Sequence, residues 1–306
     1  MVLYLLRRIA YLLFVLVGVA VITFVIAYLV PADPAKMMAG EKASPEVVAS
    51  IRREMGLDDP LWMQFTRYLG RAAKGDFGRS YHTRQLVGEA LVQSFPATLQ
   101  LAIAAIFVEL LLGIPLGILM ALQQDKWPDQ TSRALTLLGV SIPPFLLGAL
   151  LLYFFAFKSH LFPLGGYGTP WHLILPAITL GVGGAAYYSR VLRSEMITIL
   201  KQDYIRTARA KGLPERQVIL KHALRNALIP LVTLVGMDLG SFMGGLVITE
   251  SVFSWPGIGT LAVTALANVD IPLIMGTVLF SAFCVALANL GVDMTYALID
   301  PRIRYR

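Results

Sequence analysis

The chain has 306 residues, 57% of them hydrophobic, a formal net charge of +7 and a mean hydropathy of +0.68. That apolar content lies outside the range of soluble domains and requires several membrane spans. The positive charge does not argue for nucleic acid, because the basic residues cluster at the ends of apolar runs, where they act as topology signals.

Residues 1–8 carry Arg7 and Arg8 and lead into an apolar run over 9–30. The run is too long for the core of a signal peptide and lacks a small-residue cleavage site, so 1–31 reads as a retained transmembrane helix. Residues 32–95 then read as a folded outer segment. Ser44-Pro45-Glu46 supplies an N-cap, a first-turn proline and a first-turn acid; Val47, Val48, Ile51 and Met55 follow at helical spacing, and Gly56 stops the helix. A second helix starts at Asp59-Pro60, with Leu61, Trp62, Phe65 and Leu69 on one face and Gly70 or Gly75 as its stop. Gly75-Asp76-Phe77-Gly78 reads as a turn. A third, amphipathic stretch from about Thr83 leads through Pro96 into the next span. Such short helices either lie on lipid or cap the outer mouth of a bundle, and the cap is the favoured reading.

Five further runs can cross a ~30 Å hydrocarbon core at about 1.5 Å per residue: 98–122, 134–157, 172–192, 228–252 and 271–298. Glycines dilute the run at 172–192, and tyrosines border its exit. Pro115, and Pro143-Pro144, are expected kinks. With an inside N-terminus, the inside segments carry Arg7, Arg8, Lys126, Arg133, nine basic residues from Arg190 to Arg225, and Arg302, Arg304 and Arg306. The short outside loops carry only Lys158. Both termini are thus expected to be cytoplasmic, in an all-α polytopic membrane protein of six transmembrane helices. Cys284 stands alone in an apolar run and reads as a small buried hydrophobe.

Within the inside loop 193–227 lies a basic block, Asp203-Tyr-Ile-Arg-Thr-Ala-Arg-Ala-Lys-Gly212-Leu-Pro214. Asp203 is expected to cap a helix lined by Arg206, Arg209 and Lys211, with Ala208 and Ala210 leaving low relief for a partner surface. Gly212 ends that helix, Pro214 opens the next, and Glu215 sits at the second helix's positive end. Val218, Ile219, Ala223 and Leu224 face an apolar neighbour, while Arg216, Lys221 and Arg225 face water or headgroups. On composition alone, the block reads either as a docking knob or as a positive-inside loop that touches anionic lipid.

Its wording strongly resembles the loop by which permease subunits of ATP-binding-cassette importers grip their ATPase, in the dipeptide, oligopeptide and nickel branch. The resemblance extends through Asn226-Ala-Leu-Ile-Pro230, Gly56-Leu57-Asp58-Asp59-Pro60, Gly75-Asp76-Phe77-Gly78, Leu175-Pro176, Thr249-Glu250-Ser251-Val252-Phe253, Ser254-Trp255-Pro256-Gly257-Ile258-Gly259 and the tail Asp300-Pro301-Arg302-Ile303-Arg304-Tyr305. Arg206-Thr207-Ala208 stands where the broader family has Glu-Ala-Ala, and Pro230 lies farther from Gly212 than the broader pattern sets; the peptide branch tolerates both.

The resemblance implies a type I importer permease fold, with the permease core over 96–298, a tail over 299–306 and a location in the cell (inner) membrane. Asp203, Tyr204, Arg206, Thr207, Ala208, Arg209, Ala210, Lys211, Gly212, Leu213, Pro214 and Glu215 would form the ATPase-coupling loop. The implied partners are a homologous second permease, two ATP-binding-cassette ATPase subunits and an extracytoplasmic substrate-binding protein. ATP and Mg would be bound by the ATPase partners, because this chain has no Gly-x4-Gly-Lys-Ser/Thr phosphate loop, no cofactor and no metal-ligand cluster. It is therefore expected to be non-catalytic. Its expected cargo is a di- or oligopeptide, with nickel, glutathione, opines and oligosaccharides as alternatives within the class. A secondary transporter or channel is the alternative from another class.

Polar groups inside spans are costly and informative. Gly236, Gly240 and Gly244 repeat on one helix face and permit close packing. At about 100° per residue, Asp238 lies ~200° from Gly236. It either faces the pathway or bonds to a neighbouring helix. Glu109, Glu250 and Asp293 read as structural. The uncharged Phe253 to Gly259 stretch, containing Trp255, Pro256, Gly257 and Gly259, reads as an outer re-entrant loop or as an interfacial turn.

Overall fold

The computed structural model describes residues 2–29, 33–40 and 43–299, with side chains over 6–27, 33–40, 43–292 and 294. The Asp293 side chain and the 300–305 tail motif lie outside the described residues. The described residues are mostly helical, and the one extended pairing among them is a single antiparallel bridge between Arg79 and Leu86.

Helix α1 (Val2–Leu29) is apolar on every side. It packs Ala20 and Phe24 against the outer segment and leaves Phe14, Ile22 and Ile26 exposed, as suits a helix facing lipid. The outer segment opens with a helix that the sequence reading missed, α2 (Pro34–Ala39), capped by the Asp33 carboxylate accepting the Ala35 N–H at 3.1 Å. Its signal, an N-cap acid followed by a first-turn proline, is present in Asp33-Pro34. α3 (Pro45–Glu54) ends at Met55 and Gly56, the latter at φ +64°, and α4 (Leu61–Ala72) runs through Gly70. Gly75 and Gly78 both adopt positive φ around a turn closed by the Asp76 carboxylate on the Gly78 N–H.

One buried carboxylate pins this segment to the bundle. Asp270 accepts the Tyr81 N–H at 3.1 Å and the His82 N–H at 3.2 Å, and the Ser80 hydroxyl also donates to it. The same group accepts the Leu273 N–H at 3.4 Å, within the first turn of α15 (Ile271–Ile299).

The stretch from Thr83 does not form a separate amphipathic helix. It joins the second span as α5 (Val87–Leu122), continuous through Pro96 and Pro115. At 36 residues this helix is about 54 Å long, more than the bilayer core requires, so one end projects beyond it. The expected kink at Pro143-Pro144 is instead a break. α6 (Trp127–Ser141) and α7 (Pro144–Leu151), the latter continued by a π-turn to Lys158, meet at 97°. Ile142 and Pro143 are both extended, because each precedes a proline that excludes the helical conformation.

α8 (Pro170–Leu200) runs parallel to α5. An added Cβ at Gly113 would meet the Tyr188 Cβ at 2.9 Å, one at Gly117 the Leu192 Cβ at 2.8 Å, and one at Gly181 the Val108 Cβ at 2.6 Å. Small residues on both helices thus let the backbones touch. The expected fifth span ends early. α12 (Ile229–Met243) stops at Gly244, and Gly245, at φ +103°, turns the chain into α13 (Val247–Val252) and then α14 (Ile258–Ala267). α12 packs antiparallel on α15 through the glycine stripe: Gly236 against Val292, Gly240 against Asn289, and Gly244 against Val285.

Among the described residues, α1, α5 and α15 are each long and apolar enough to cross a membrane as single helices. Two bent pairs, α6 with α7 and the segment Glu215–Ala227 with α12, qualify together. α8 falls short because Gly181, Gly183, Gly184, Tyr187 and Tyr188 dilute its apolar run.

Replacing Asp270 by alanine strips acceptors from a buried hydroxyl and two loop N–H groups and removes a cap. It should cost about 2–3 kcal/mol and speed limited proteolysis between residues 32 and 86. Asp270→Asn, which keeps a carbonyl acceptor, should be milder; equal rates in both variants and the parent would refute the pin.

Candidate functional site

The basic block forms two short helices at a fixed bend. α9 (Asp203–Ala210) is followed by α10 (Glu215–Gln217), a π-turn over Val218–Ala223, and α11 (Leu224–Ala227). Gly212, at φ +75°, ends α9 in a Schellman arrangement. Its N–H bonds the Arg209 carbonyl at 2.9 Å, and the Leu213 N–H reaches the Ala208 carbonyl at 3.4 Å. Pro214 then precedes α10 with an extended backbone.

Two cross-links stiffen the bend. The Arg209 guanidinium holds Glu215 with two bonds, of 2.7 and 3.1 Å, and Asn226 Nδ2 donates to the Tyr204 hydroxyl at 2.9 Å. Its bond to Arg209 holds the Glu215 carboxyl below the usual carboxylate range. This staple is therefore intact at neutral pH and lost only as pH falls through that depressed value.

Ile205, Ala208, Val218, Ala223 and Ala227 are buried in one cluster with Tyr188, Leu192 and Met196 of α8 and Leu231 of α12. Burying Ile205 and Val218 contributes roughly 1.5–3 kcal/mol each, so the elbow is seated on the bundle. Two expectations need correction. Ala208 faces this cluster and offers no surface to a partner, because the helix turns Ile205 and Ala208 inward together. Gln202, without a side-chain bond, occupies the N-cap of α9, and Asp203 lies in its first turn with its side chain 97% exposed. The outward face comprises Asp203, Tyr204, Arg206, Thr207, Arg209, Ala210, Lys211, Gly212, Pro214 and Glu215, with Leu213 half-buried at the bend.

Beside the elbow lies a clamp that the sequence reading missed. Asp129, fully enclosed at the start of α6, takes two bonds from Arg193 of α8, at 2.8 and 2.6 Å, a 3.2 Å bond from Arg133 and the Asp125 N–H at 2.8 Å. The four-residue spacing of Asp129 and Arg133 was a readable helix pair. Arg193 had been counted only as a topology charge. Asp129→Ala should cost about 2–3 kcal/mol in thermal unfolding, because it removes both short bonds to Arg193 and leaves that guanidinium only the exposed Asp125 at 3.8 Å.

Asp238 of α12 accepts the Tyr188 hydroxyl of α8 at 2.7 Å and is half-buried. The bond to a neighbouring helix is therefore present, on the face away from the glycine stripe. Glu109 is buried on α5 against Gly184, with its Oε2 unpartnered among the described residues.

At the other end of α5, Glu250 is completely buried. It accepts the Thr98 hydroxyl at 2.7 Å and the Thr260 N–H at 2.9 Å, and Thr98 in turn accepts the Ile258 N–H at 2.9 Å. Gly257 and Gly259 crowd this carboxylate, leaving no room for a Cβ. Trp255 is 1% exposed and donates its indole N–H to the Ala97 carbonyl at 2.8 Å; Pro256 is exposed. This turn between α13 and α14 is enclosed by protein, the condition under which irregular backbone is tolerated at membrane depth.

An all-helical membrane bundle with a rigid basic elbow is the build of an ABC importer permease subunit, and comparison with known proteins bears this out. Residues 113–305 match the binding-protein-dependent transport system inner membrane component family, and 1–102 match its N-terminal companion. The chain is 42% identical to the glutathione transport system permease protein GsiC of Salmonella paratyphi A and 39% identical to that of Escherichia coli, each over 99% of both chains. It is 42% identical to the probable D,D-dipeptide transport system permease protein DdpB of Escherichia coli, covering 95% of this chain and 94% of the relative. A chain from inward-facing crystal structures of the MetNI methionine ABC transporter shares the fold, at 20% identity and a TM-score of 0.56, covering 69% of this chain and 96% of that one. This chain belongs to the binding-protein-dependent transport system inner membrane component family.

Gly212→Ala places a Cβ in the left-handed region at a cost of about 1–2 kcal/mol. Hydrogen exchange of 203–217 should quicken in that variant while α8 stays protected; unchanged exchange would remove the argument for a strained, glycine-dependent bend.

Proposed function

We propose that this chain forms half of the pathway of an ATP-driven importer of short peptides and meets a separate ATPase through the outward face of residues 203–215. The single observation that carries this reading is the seated elbow. Its inward residues are spent on α8 and α12, so its exposed Arg206, Lys211 and Pro214 can take a load and pass it to the bundle as rigid-body motion. A positive-inside loop serving topology alone needs neither the Arg209–Glu215 staple nor the buried Ile205 and Val218.

On this reading both termini and the elbow are cytoplasmic, six spans cross the bilayer, and residues 32–95 lie outside, where a substrate-binding protein delivers cargo. A second, homologous permease completes the cavity, and two ATPase subunits supply the ATP and Mg chemistry. Asp238 lines the pathway from the face of α12 opposite the glycine stripe. Glutathione and D,D-dipeptides, the cargoes in the relatives' names, are both short peptides with a free carboxylate, which supports short peptides over nickel, opines or oligosaccharides.

Reversing Arg206 and Lys211 to glutamate should lower substrate-stimulated ATP turnover of the assembled transporter roughly tenfold, by like-charge or unpaired contacts at the ATPase surface. The amount of permease in the membrane should not change. Full turnover in that double variant, or no cross-link from Arg206→Cys to any other polypeptide, would sink the docking assignment. Cargo is read separately: uptake of labelled glutathione and dipeptides should be mutually competitive and cease when ATP is depleted at constant membrane potential.

A further inference from the structure

A cleft of about 690 Å³ opens between the outer segment and the ends of α1 and α15. Its two sides differ in chemistry. Phe24 and Ala27 of α1, with Ile271, Pro272 and Met275 of α15, make an apolar wall; Arg52, Arg67, Arg71 and Arg79 stand across from it. Two of those cations are already engaged, Arg52 with Asp33 at 2.9 Å and Arg67 with Asp59 at 2.5 Å. Arg71 and Arg79 have no carboxylate within ion-pair distance among the described residues; Arg79 makes only a 3.3 Å bond to the Arg84 carbonyl. Tyr68 also lines the cleft, 8% exposed and stacked on Phe24 at 6.5 Å, with a buried hydroxyl that has no hydrogen-bond partner among the described residues. Burial pushes this phenol up to about 12, so it keeps a proton to donate.

An unsatisfied buried donor beside two unneutralised guanidinium groups calls for an anion with several acceptor oxygens. The apolar wall calls for a hydrocarbon portion on the same ligand. Position decides which amphiphile. Phe24 lies in the last two turns of α1, a helix whose other faces are open, and Ile271 is the first residue of α15. The cleft therefore sits where two apolar helices leave the bilayer core, at headgroup depth. We propose that it holds the headgroup of an anionic phospholipid of the outer leaflet, with phosphate on Arg71, Arg79 and the Tyr68 hydroxyl and the upper acyl chain along Phe24, Ala27 and Met275. The placement in the outer leaflet rests on the topology given under the proposed function. Such a lipid fills the seam between the outer segment and the bundle and fixes how that segment is presented.

The test uses the full-length chain, extracted with its bound subunits and placed in phosphatidylcholine nanodiscs containing a photoactivatable phosphatidylglycerol. Cross-linking should fall on residues 68–79. Unlabelled phosphatidylglycerol should compete, phosphatidylcholine should not, and inorganic phosphate should compete only weakly. Arg71→Gln and Arg79→Gln should each weaken capture roughly fivefold, near the value of one cation at a charged membrane surface, and Tyr68→Phe should weaken it without loosening α4. Equal competition by phosphatidylcholine, or capture unaffected by both arginine variants, overturns the site. Competition by inorganic phosphate matching that of phosphatidylglycerol overturns its lipid character. In a Cys284→Ala background, Arg71→Cys should react with an impermeant thiol reagent from outside intact cells. Labelling from the inside alone overturns both the topology and this site, whereas outside labelling without phosphatidylglycerol selectivity overturns this site only.

Discussion

Backbone contact between α5 and α8 governs the rest of the bundle. Gly113, Gly117 and Gly181 let two long helices touch while running in the same direction, and parallel neighbours demand that the chain travel back between them. α6 and α7 make that return, and their 97° break is where two consecutive prolines forbid a straight one. The return is then held at its start by Asp129 on Arg193. A glycine-mediated contact is stiff because no side chain intervenes to change rotamer, so α5 and α8 behave as one body over their shared length.

The two ends of that body carry different polar chemistry. At one end the elbow is seated on Tyr188, Leu192 and Met196, all on α8, and the Asp129 clamp lies beside it. At the other, Glu250 ties Thr98 of α5 to the N–H groups of the turn that opens α14. A load applied to the elbow therefore enters α8 directly and reaches α13 and α14 through α5. α12 stands between rigid body and periphery: its glycine face lies against α15 and its Asp238 face meets Tyr188.

Much of this was legible from residue order because the decisive signals are local. Ser44-Pro45-Glu46, the Gly212-Leu213-Pro214 break and the four-residue spacing of Gly236, Gly240 and Gly244 each act within a turn or two. What escaped depends on pairs far apart in the chain. Asp270 carries no local signal, and its role emerges only when Ser80, Tyr81 and His82 close on it; Arg193 reads as a topology charge until Asp129 is enclosed by it. The inward turn of Ala208 escaped because Ala208 and Ala210 were weighed together by size, whereas helical spacing sets Ala208 on the buried face with Ile205. The fifth span was overlong on paper for a related reason: hydropathy continues through Gly244 and Gly245, and only the positive φ at Gly245 reveals the turn.

The outer segment illustrates a different balance. Its own core is thin, with no residue of α3 buried and only Tyr68 buried in α4. Its stability must therefore come from attachment. The attachments are of two kinds: the Asp270 carboxylate receiving the Ser80–His82 turn, and the aromatic contacts of Phe24 with Phe65 and Tyr68. One is polar and sits on α15; the other is apolar and sits on α1. Two anchors on two different helices fix the segment's orientation, while the space between them stays unfilled by protein. The arginine-rich cleft is thus a consequence of how the segment is fastened.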